Sequence, residues 1–177
     1  MALSQINSAS IENASVAPAD LAQPLTSGTE TVSTSGTSID FTSIPSWVKR
    51  ITVLFNGVST NGSSNYQIQI GSSSFTTTGY ISSSAYTGAS AGGLTGTTGF
   101  SLTANTVGAA NNFSGQCVLS LVGSNTWIQA SILGRQDGYV SMGGGKVALS
   151  GVLDRVRITT VNGTDTFDAG SINILYE

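Results

Sequence analysis

Four aspartates offer the chain its best prospects for chemistry: Asp137, Asp154, Asp165 and Asp168. Two carboxyls about 5–9 Å apart, one with a raised pKa, would serve glycoside hydrolysis. Asp165 and Asp168 lie in Asn162-Gly-Thr-Asp-Thr-Phe-Asp-Ala-Gly170, where oxygen ligands for Ca²⁺ can gather. The segment lacks the regular spacing of a calcium loop, and nothing in the sequence pairs two carboxylates. Turn bonds to nearby backbone N–H groups are therefore the expectation. His is absent and Cys117 is the single cysteine. That excludes a His metal site, a Ser-His-Asp triad, a Cys-His pair, a Cys zinc site and an intrachain disulfide. The expectation is a protein that is not an enzyme and needs no metal or cofactor.

Recognition chemistry is better supplied. Trp47, Trp127, Tyr66, Tyr80, Tyr86 and Tyr139 are large aromatics with polar handles. Exposed rings of this kind stack on sugars while Asn, Gln and Ser bond the hydroxyls. Tyr66 alternates with Ile68 and Ile70, which assigns it to a core. Tyr80, Tyr86 and Tyr139 sit in Gly/Ser-rich stretches and are the candidate glycan-binding residues. Arg155 and Arg157 alternate with Val156 and Ile158, so a solvated strand face is expected, with Asp154 available for cross-strand pairing. The functional alternative for these arginines is a subunit or anionic-sugar contact, and Lys49-Arg50 is read the same way. Cys117 precedes Val118 and Leu119 and is expected to be buried and inert. Four Asn-X-Ser/Thr matches, beginning at Asn13, Asn61, Asn112 and Asn162, follow from the abundance of Ser and Thr.

The composition narrows the class of fold. Ser, Thr, Gly and Asn make up 83 of the 177 residues, and charged residues only 8%, against about 25% in an average soluble protein. Six basic residues are too few for a phosphate-tracking groove, so no nucleic-acid partner is expected. No apolar run approaches the roughly 20 residues of a membrane span, and no membrane is expected. The first residues, Met-Ala-Leu-Ser-Gln, lack a basic region followed by an apolar stretch, so no secretory signal is expected there. Hydrophobic residues reach 39% with low net charge, which opposes disorder. Thr, Val, Ile and aromatics favour strands, and Gly, Asn and Ser favour turns. The fold class is all-β.

Residues 1–25 stand apart. Large apolar residues recur every five positions, at Ile6, Ile11, Val16 and Leu21, with Ala at 9, 14 and 19. This period suits neither a helix nor a strand, and Pro18 and Pro24 oppose a continuous helix. The segment is too short for its own core. It is expected to be an extended anchoring arm whose four apolar residues serve docking or oligomerisation. Strands are expected at 30–33, 38–41, 47–58, 66–70, 117–122, 127–133, 147–149, 153–161 and 171–176. In the 66–70 strand Gln67 and Gln69 point outward. The hydroxyl runs at 72–74, 76–78 and 82–84, and the Gly/Ala/Thr stretch at 88–99, are expected as exposed loops or edge strands. Gly143-Gly144-Gly145 is expected to break the chain. Residues 26–177 then form one antiparallel β-sandwich, jelly-roll-like.

Two stretches resemble bacteriophage fibre-type virion proteins. One is the pentad of the arm. The other runs from Gly36-Thr-Ser-Ile-Asp-Phe41 through Ile44-Pro-Ser-Trp-Val-Lys-Arg-Ile-Thr-Val53 and Phe55-Asn-Gly-Val-Ser59, and closes with Leu153-Asp-Arg-Val-Arg157 to Ile172-Asn-Ile-Leu-Tyr-Glu177. The resemblance implies a homotrimer on the virion surface, of short-fibre, head-fibre or decoration type, docked to capsid, portal, adaptor or tail proteins. It also implies host cell-surface glycan as an alternative partner.

Overall fold

The computed structural model describes residues 24–104, 107–109 and 111–177. The expectation for Ile6, Ile11, Val16 and Leu21 lies outside these residues. Fourteen strands follow one another: β1 (Thr26–Ser27), β2 (Thr31–Val32), β3 (Ser38–Thr42), β4 (Arg50–Thr60), β5 (Tyr66–Ser72), β6 (Ser74–Phe75), β7 (Ile81–Thr87), β8 (Gly92–Gly96), β9 (Phe100–Ser101), β10 (Phe113–Gly123), β11 (Thr126–Arg135), β12 (Val140–Ala148), β13 (Arg155–Thr160) and β14 (Phe167–Tyr176). No helix forms among the described residues. A nine-stranded sheet has the order β1-β14-β4-β10-β11-β12-β7-β8, with β2 also on β14; a five-stranded sheet has the order β3-β13-β5-β6, with β9 also on β5. All pairings are antiparallel. The two sheets pack face to face, the antiparallel sandwich that the composition demands.

Alternation explains which side chains meet between the sheets. Ile51, Val53 and Phe55 of β4 point inward, as do Tyr66, Ile68 and Ile70 of β5 and Val156 and Ile158 of β13. Leu119 and Cys117 of β10 and Trp127 and Leu133 of β11 complete the facing layer. The Tyr66 ring stands edge-on to Phe113 with centroids 5.2 Å apart. Each such side chain contributes about 1.5–3 kcal/mol by leaving water. The β10–β11 hairpin turns at Ser124 and Asn125, whose φ values of 47° and 59° match the strand twist of a two-residue turn.

Two expectations need correction. The glycines at 143–145 do not break the chain. They lie within β12, paired to Ser131, Ala130 and Gln129 of β11 on one side and to Ser84, Ser83 and Ser82 of β7 on the other. Their missing side chains have a use. A Cβ on Gly143 would stand 2.6 Å from the Ser101 carbonyl, so only glycine lets β9 lie this close to the large sheet. Nor is the serine run at 82–84 a loop: it forms the body of β7, and Ser82 and Ser84 are buried. Their hydroxyls hold β9. Ser82 Oγ accepts the Ser101 N–H at 2.9 Å, and Ser84 Oγ lies 2.7 Å from Ser101 Oγ and donates to the Thr103 carbonyl. Small polar residues can pack a core where each hydroxyl finds a backbone partner.

Adjacent glycines of β12 give a sharp test. Gly143→Ala is expected to destabilise the fold by about 1–3 kcal/mol through overpacking. Gly144→Ala, where the nearest atom to the new Cβ is 3.7 Å away, is expected to stay within about 0.5 kcal/mol of the parent. Urea unfolding followed by tryptophan fluorescence reads both. Equal effects would refute the close seating of β9.

Candidate functional site

The outer face of the small sheet is polar, and its register sets residues in rows. Arg157 of β13 stands between Asp40 of β3 and Gln69 of β5; Thr159 stands between Ser38 and Gln67. The Arg157 guanidinium grips Asp40 with two bonds, Nε to Oδ1 at 2.8 Å and Nη2 to Oδ2 at 2.7 Å. It lies 4.0 Å above the Phe75 ring, a cation–π contact that holds it flat. The neighbouring Asp40 carboxylate raises the pKa of this guanidinium above its ordinary value. Gln67 and Gln69 point outward as the alternation requires, yet they are only 4% and 7% exposed. The loops carrying Thr77 and Thr98 and the turn at Asn162-Gly163 wall them in, leaving a cavity of about 440 Å³. The sequence offered Gln67 and Gln69 as outward-pointing, and the arginines as a solvated strand face with a subunit or anionic-sugar contact as the alternative. The alternation was legible; the walls come from loops 8 to 96 residues away in the chain.

The three glycan candidates part company. Tyr80 is 2% exposed. Its ring stands edge-on to Phe100, and its hydroxyl accepts the Ile70 N–H at 2.8 Å. It plugs the backbone of β5 from inside and offers no ring face to a ligand, which removes it from the glycan candidates although it does lie in the connection between β6 and β7; Tyr86 lies in β7 rather than in a loop. Tyr86 and Tyr139 do come together, with centroids 6.1 Å apart. Gly88 and Gly92 let the chain press on them, since a Cβ at either glycine would meet a ring carbon within 2.7 Å. The Arg135 guanidinium covers the Tyr139 ring at 4.2 Å and bonds Asp137 twice. This half-buried cluster caps the β11–β12 hairpin. Trp47 packs on Tyr176, with centroids 6.0 Å apart, and Trp127 is buried.

The remaining carboxylates serve turns and ion pairs. Asp165 accepts the Ser64 N–H at 2.9 Å and the Asn162 amide at 2.6 Å, and Asp168 accepts the Ser59 hydroxyl. Asp154 pairs with its neighbour Arg155, and the cross-strand partner of Arg157 is Asp40 instead. Arg50 pairs with Glu177. Among the described residues, no three His, Cys, Asp or Glu side chains gather as a metal site would require.

The outer face of the large sheet contrasts with that of the small one. Leu175, Thr52, Val118, Ala130 and Gly144 form one row across five strands, and Asn173, Leu54, Gln116, Ile132 and Met142 the next. Ile128 and Ile81 follow in a third row with Lys146 between them. Ile81 is 67% exposed and Ile132 53%. A depression of about 810 Å³ beside Met142 is floored by Ser83, Ala85 and Gly144. It offers no amide or charged group, so it belongs to this apolar face rather than to polar recognition.

Buried ionisable groups set the pH response. Burial pushes the Tyr66 and Tyr80 hydroxyls and the Cys117 thiol up to about 12 from ordinary values of 10, 10 and 9. A raised pKa gives stability that is complete below the unfolded value and is lost as pH climbs toward the folded one. Thermal melts are expected to fall from about pH 9 upward, and the fall to be shallower in Tyr80→Phe. Cys117, buried in the fold, is expected to resist iodoacetamide at mildly alkaline pH and to react once guanidinium chloride unfolds the chain.

Comparison with protein-family models, with curated proteins and with solved structures finds no match to this chain.

Proposed function

We propose that the protein is a bacteriophage virion structural protein of short-fibre or decoration type. In this reading it is a homotrimer on the particle surface. Residues 1–25 anchor it to other virion proteins, and residues 26–177 project outward. The observation that carries the reading is the outer face of the nine-stranded sheet. Six strands about 4.8 Å apart and three rows of side chains span on the order of 600 Å², a face on which aliphatic side chains alternate with Thr52, Ser83, Gln116 and Asn173; a stable interface takes about 800 Å² from each partner, so neighbouring surface would join it. Ile81, Ile128, Ile132 and Met142 stand exposed on this face. Lys146 is the one charge within its rows that has no ion-pair partner among the described residues. A surface so poor in charge fits another copy of this chain better than a charged partner.

Two further features support the reading. β1 pairs with the end of β14, Thr26 opposite Tyr176, so the arm joins the body at one edge of the large sheet. From there it can lead away to an anchor without crossing the sandwich. The second of the two stretches that resemble phage fibre proteins also runs over strands that build the two sheets, from β3 and β4 to β13 and β14. A second reading, a host-glycan-binding module of a tail fibre, is favoured by the Tyr86–Tyr139–Arg135 cluster on the β11–β12 hairpin.

Sedimentation of the full chain tests the assembly. The parent is expected to run as a trimer and Ile132→Asp with Met142→Asp as a monomer of near-parental melting temperature, because neither side chain belongs to the core. A parent that is monomeric at micromolar concentration would overturn the oligomer. Replacing Ile6, Ile11, Val16 and Leu21 by Asp is expected to leave the fold intact and abolish incorporation into particles, read by antibody labelling of virions. Normal incorporation would overturn the anchor.

A further inference from the structure

Three Asn-Gly pairs occur in the chain: Asn56-Gly57, Asn61-Gly62 and Asn162-Gly163. Each carries a latent reaction, because a glycine nitrogen has no Cβ beside it to hinder attack on the preceding Asn side chain. All three asparagines are exposed, so access does not distinguish them. Their hydrogen bonds do. Asn56 is locked in the large sheet, opposite Ser171 of β14. Its Nδ2 donates to Ser171 Oγ at 3.2 Å, and the Gly57 N–H donates to Ser114 Oγ at 2.9 Å. Asn162 is locked by its side chain. Oδ1 accepts the Thr160 hydroxyl at 2.8 Å and the N–H groups of Thr164 and Asp165 at 3.1 and 3.3 Å, and Nδ2 donates to Asp165 at 2.6 Å. The Gly163 N–H donates to the Thr160 carbonyl at 3.1 Å. In both pairs the attacking nitrogen and the amide nitrogen that must leave are already occupied.

Asn61, in the connection between β4 and β5, differs. Its main-chain N–H donates to the Thr166 carbonyl at 2.9 Å, and its Oδ1 accepts the Thr166 N–H at 2.9 Å. Neither its Nδ2 nor the Gly62 N–H has a partner among the described residues. We propose that Asn61 is a site of spontaneous deamidation, which passes through a cyclic imide to an aspartyl or isoaspartyl residue, while the fold protects Asn56 and Asn162. The Gly62 nitrogen gives its proton to hydroxide and forms a bond to Asn61 Cγ. Oδ1 gains negative charge in that step, and the Thr166 N–H already donates to it. The Cγ–Nδ2 bond then breaks, Nδ2 takes a proton from water and leaves as ammonia, and the imide remains. Water opens the imide at either carbonyl. One opening gives the aspartyl residue; the other routes the main chain through the side-chain carboxyl. Solvent supplies every reactant.

The product changes charge and shape at one place. The Asp165 carboxylate packs on Gly62 so closely that a Cβ there would lie within 2.5 Å of both its oxygens. A second carboxylate at position 61 is one residue from that seat. The isoaspartyl form also lengthens the main chain just before Ser64, whose N–H Asp165 accepts. This inference goes beyond the assembly role and does not depend on it.

Incubation of the full chain in mildly alkaline buffer, then proteolysis and mass spectrometry, times the exchange of NH₂ for OH at each asparagine. Electron-transfer fragmentation separates aspartyl from isoaspartyl products. In the folded chain Asn61 is expected to convert at least about tenfold faster than Asn56 and Asn162, whose hydrogen bonds must break first. In guanidinium chloride the three rates are expected to converge, because each asparagine is then simply followed by glycine. Asn61→Gln, at an exposed position, is expected to keep the parental melting temperature and to lose the fast phase. Conversion of Asn56 or Asn162 as fast as Asn61 in the folded chain would overturn the proposal. So would a folded Asn61 that stays intact while the unfolded chain reacts, or a fast phase that persists in Asn61→Gln.

Discussion

The seating of β9 against the glycines of β12 is the contact on which the architecture turns. Phe100 and Ser101 pair with Ile68 and Gln67 of the small sheet, while the Ser101 carbonyl rests where a side chain of Gly143 would be. Two residues thereby tie one sheet to the other. The tie is polar on one side, through the hydroxyls of Ser82 and Ser84, and apolar on the other, through Phe100 against Tyr80. The loop that enters β9 carries Thr98, and Thr98 holds Gln67 and Gln69. The wall of the polar cavity is thus an extension of the joint between the sheets.

Charge contributes little to holding this molecule together. Four arginines are paired with carboxylates at the surface, and exposed pairs of this kind are worth about 0–1 kcal/mol each. Their arrangement is more informative than their energy. The Asp40–Arg157 pair lies across two strands and is clamped over a ring, whereas Asp154–Arg155 joins sequence neighbours. Stability comes from the core between the sheets, where Tyr66, Phe113, Phe167 and Trp127 are buried. Short side chains such as Ser lose little side-chain entropy on ordering, which lets hydroxyl-rich strands take part in that core.

The two outer faces divide the labour of the proposed particle protein. The large sheet presents exposed Ile81, Ile128, Ile132 and Met142 among small and uncharged polar residues, the surface proposed to meet copies of itself. The small sheet presents amides, hydroxyls and an arginine paired with Asp40 around a walled cavity. Both follow from the period of two along a strand: the residues that alternate with the shared core fall on opposite sides of the sandwich, and their chemistry differs because the sequence differs.

The sequence by itself determined the class of fold and most of its strands. Ile51, Val53 and Phe55, then Tyr66, Ile68 and Ile70, then Val156 and Ile158, alternate strongly enough to name both strand and inward face, and the β10–β11 hairpin is written in Gly123-Ser-Asn-Thr126. These signals are local, because a strand's period depends only on its own residues. Tertiary structure decided the rest. Gly143-Gly144-Gly145 looks like a break until β9 is seen to need the space, and the serines of β7 look like a loop until their hydroxyls find Ser101 and Thr103. Tyr80, in the connection between β6 and β7, looks like an exposed ring until its hydroxyl meets Ile70 of β5. Gln69 and Arg157 stand 88 residues apart in the chain, and only the pairing of β5 with β13 makes them neighbours. A small residue's role is set by what approaches it, and that approach is fixed by pairings between distant segments that a local pattern does not encode.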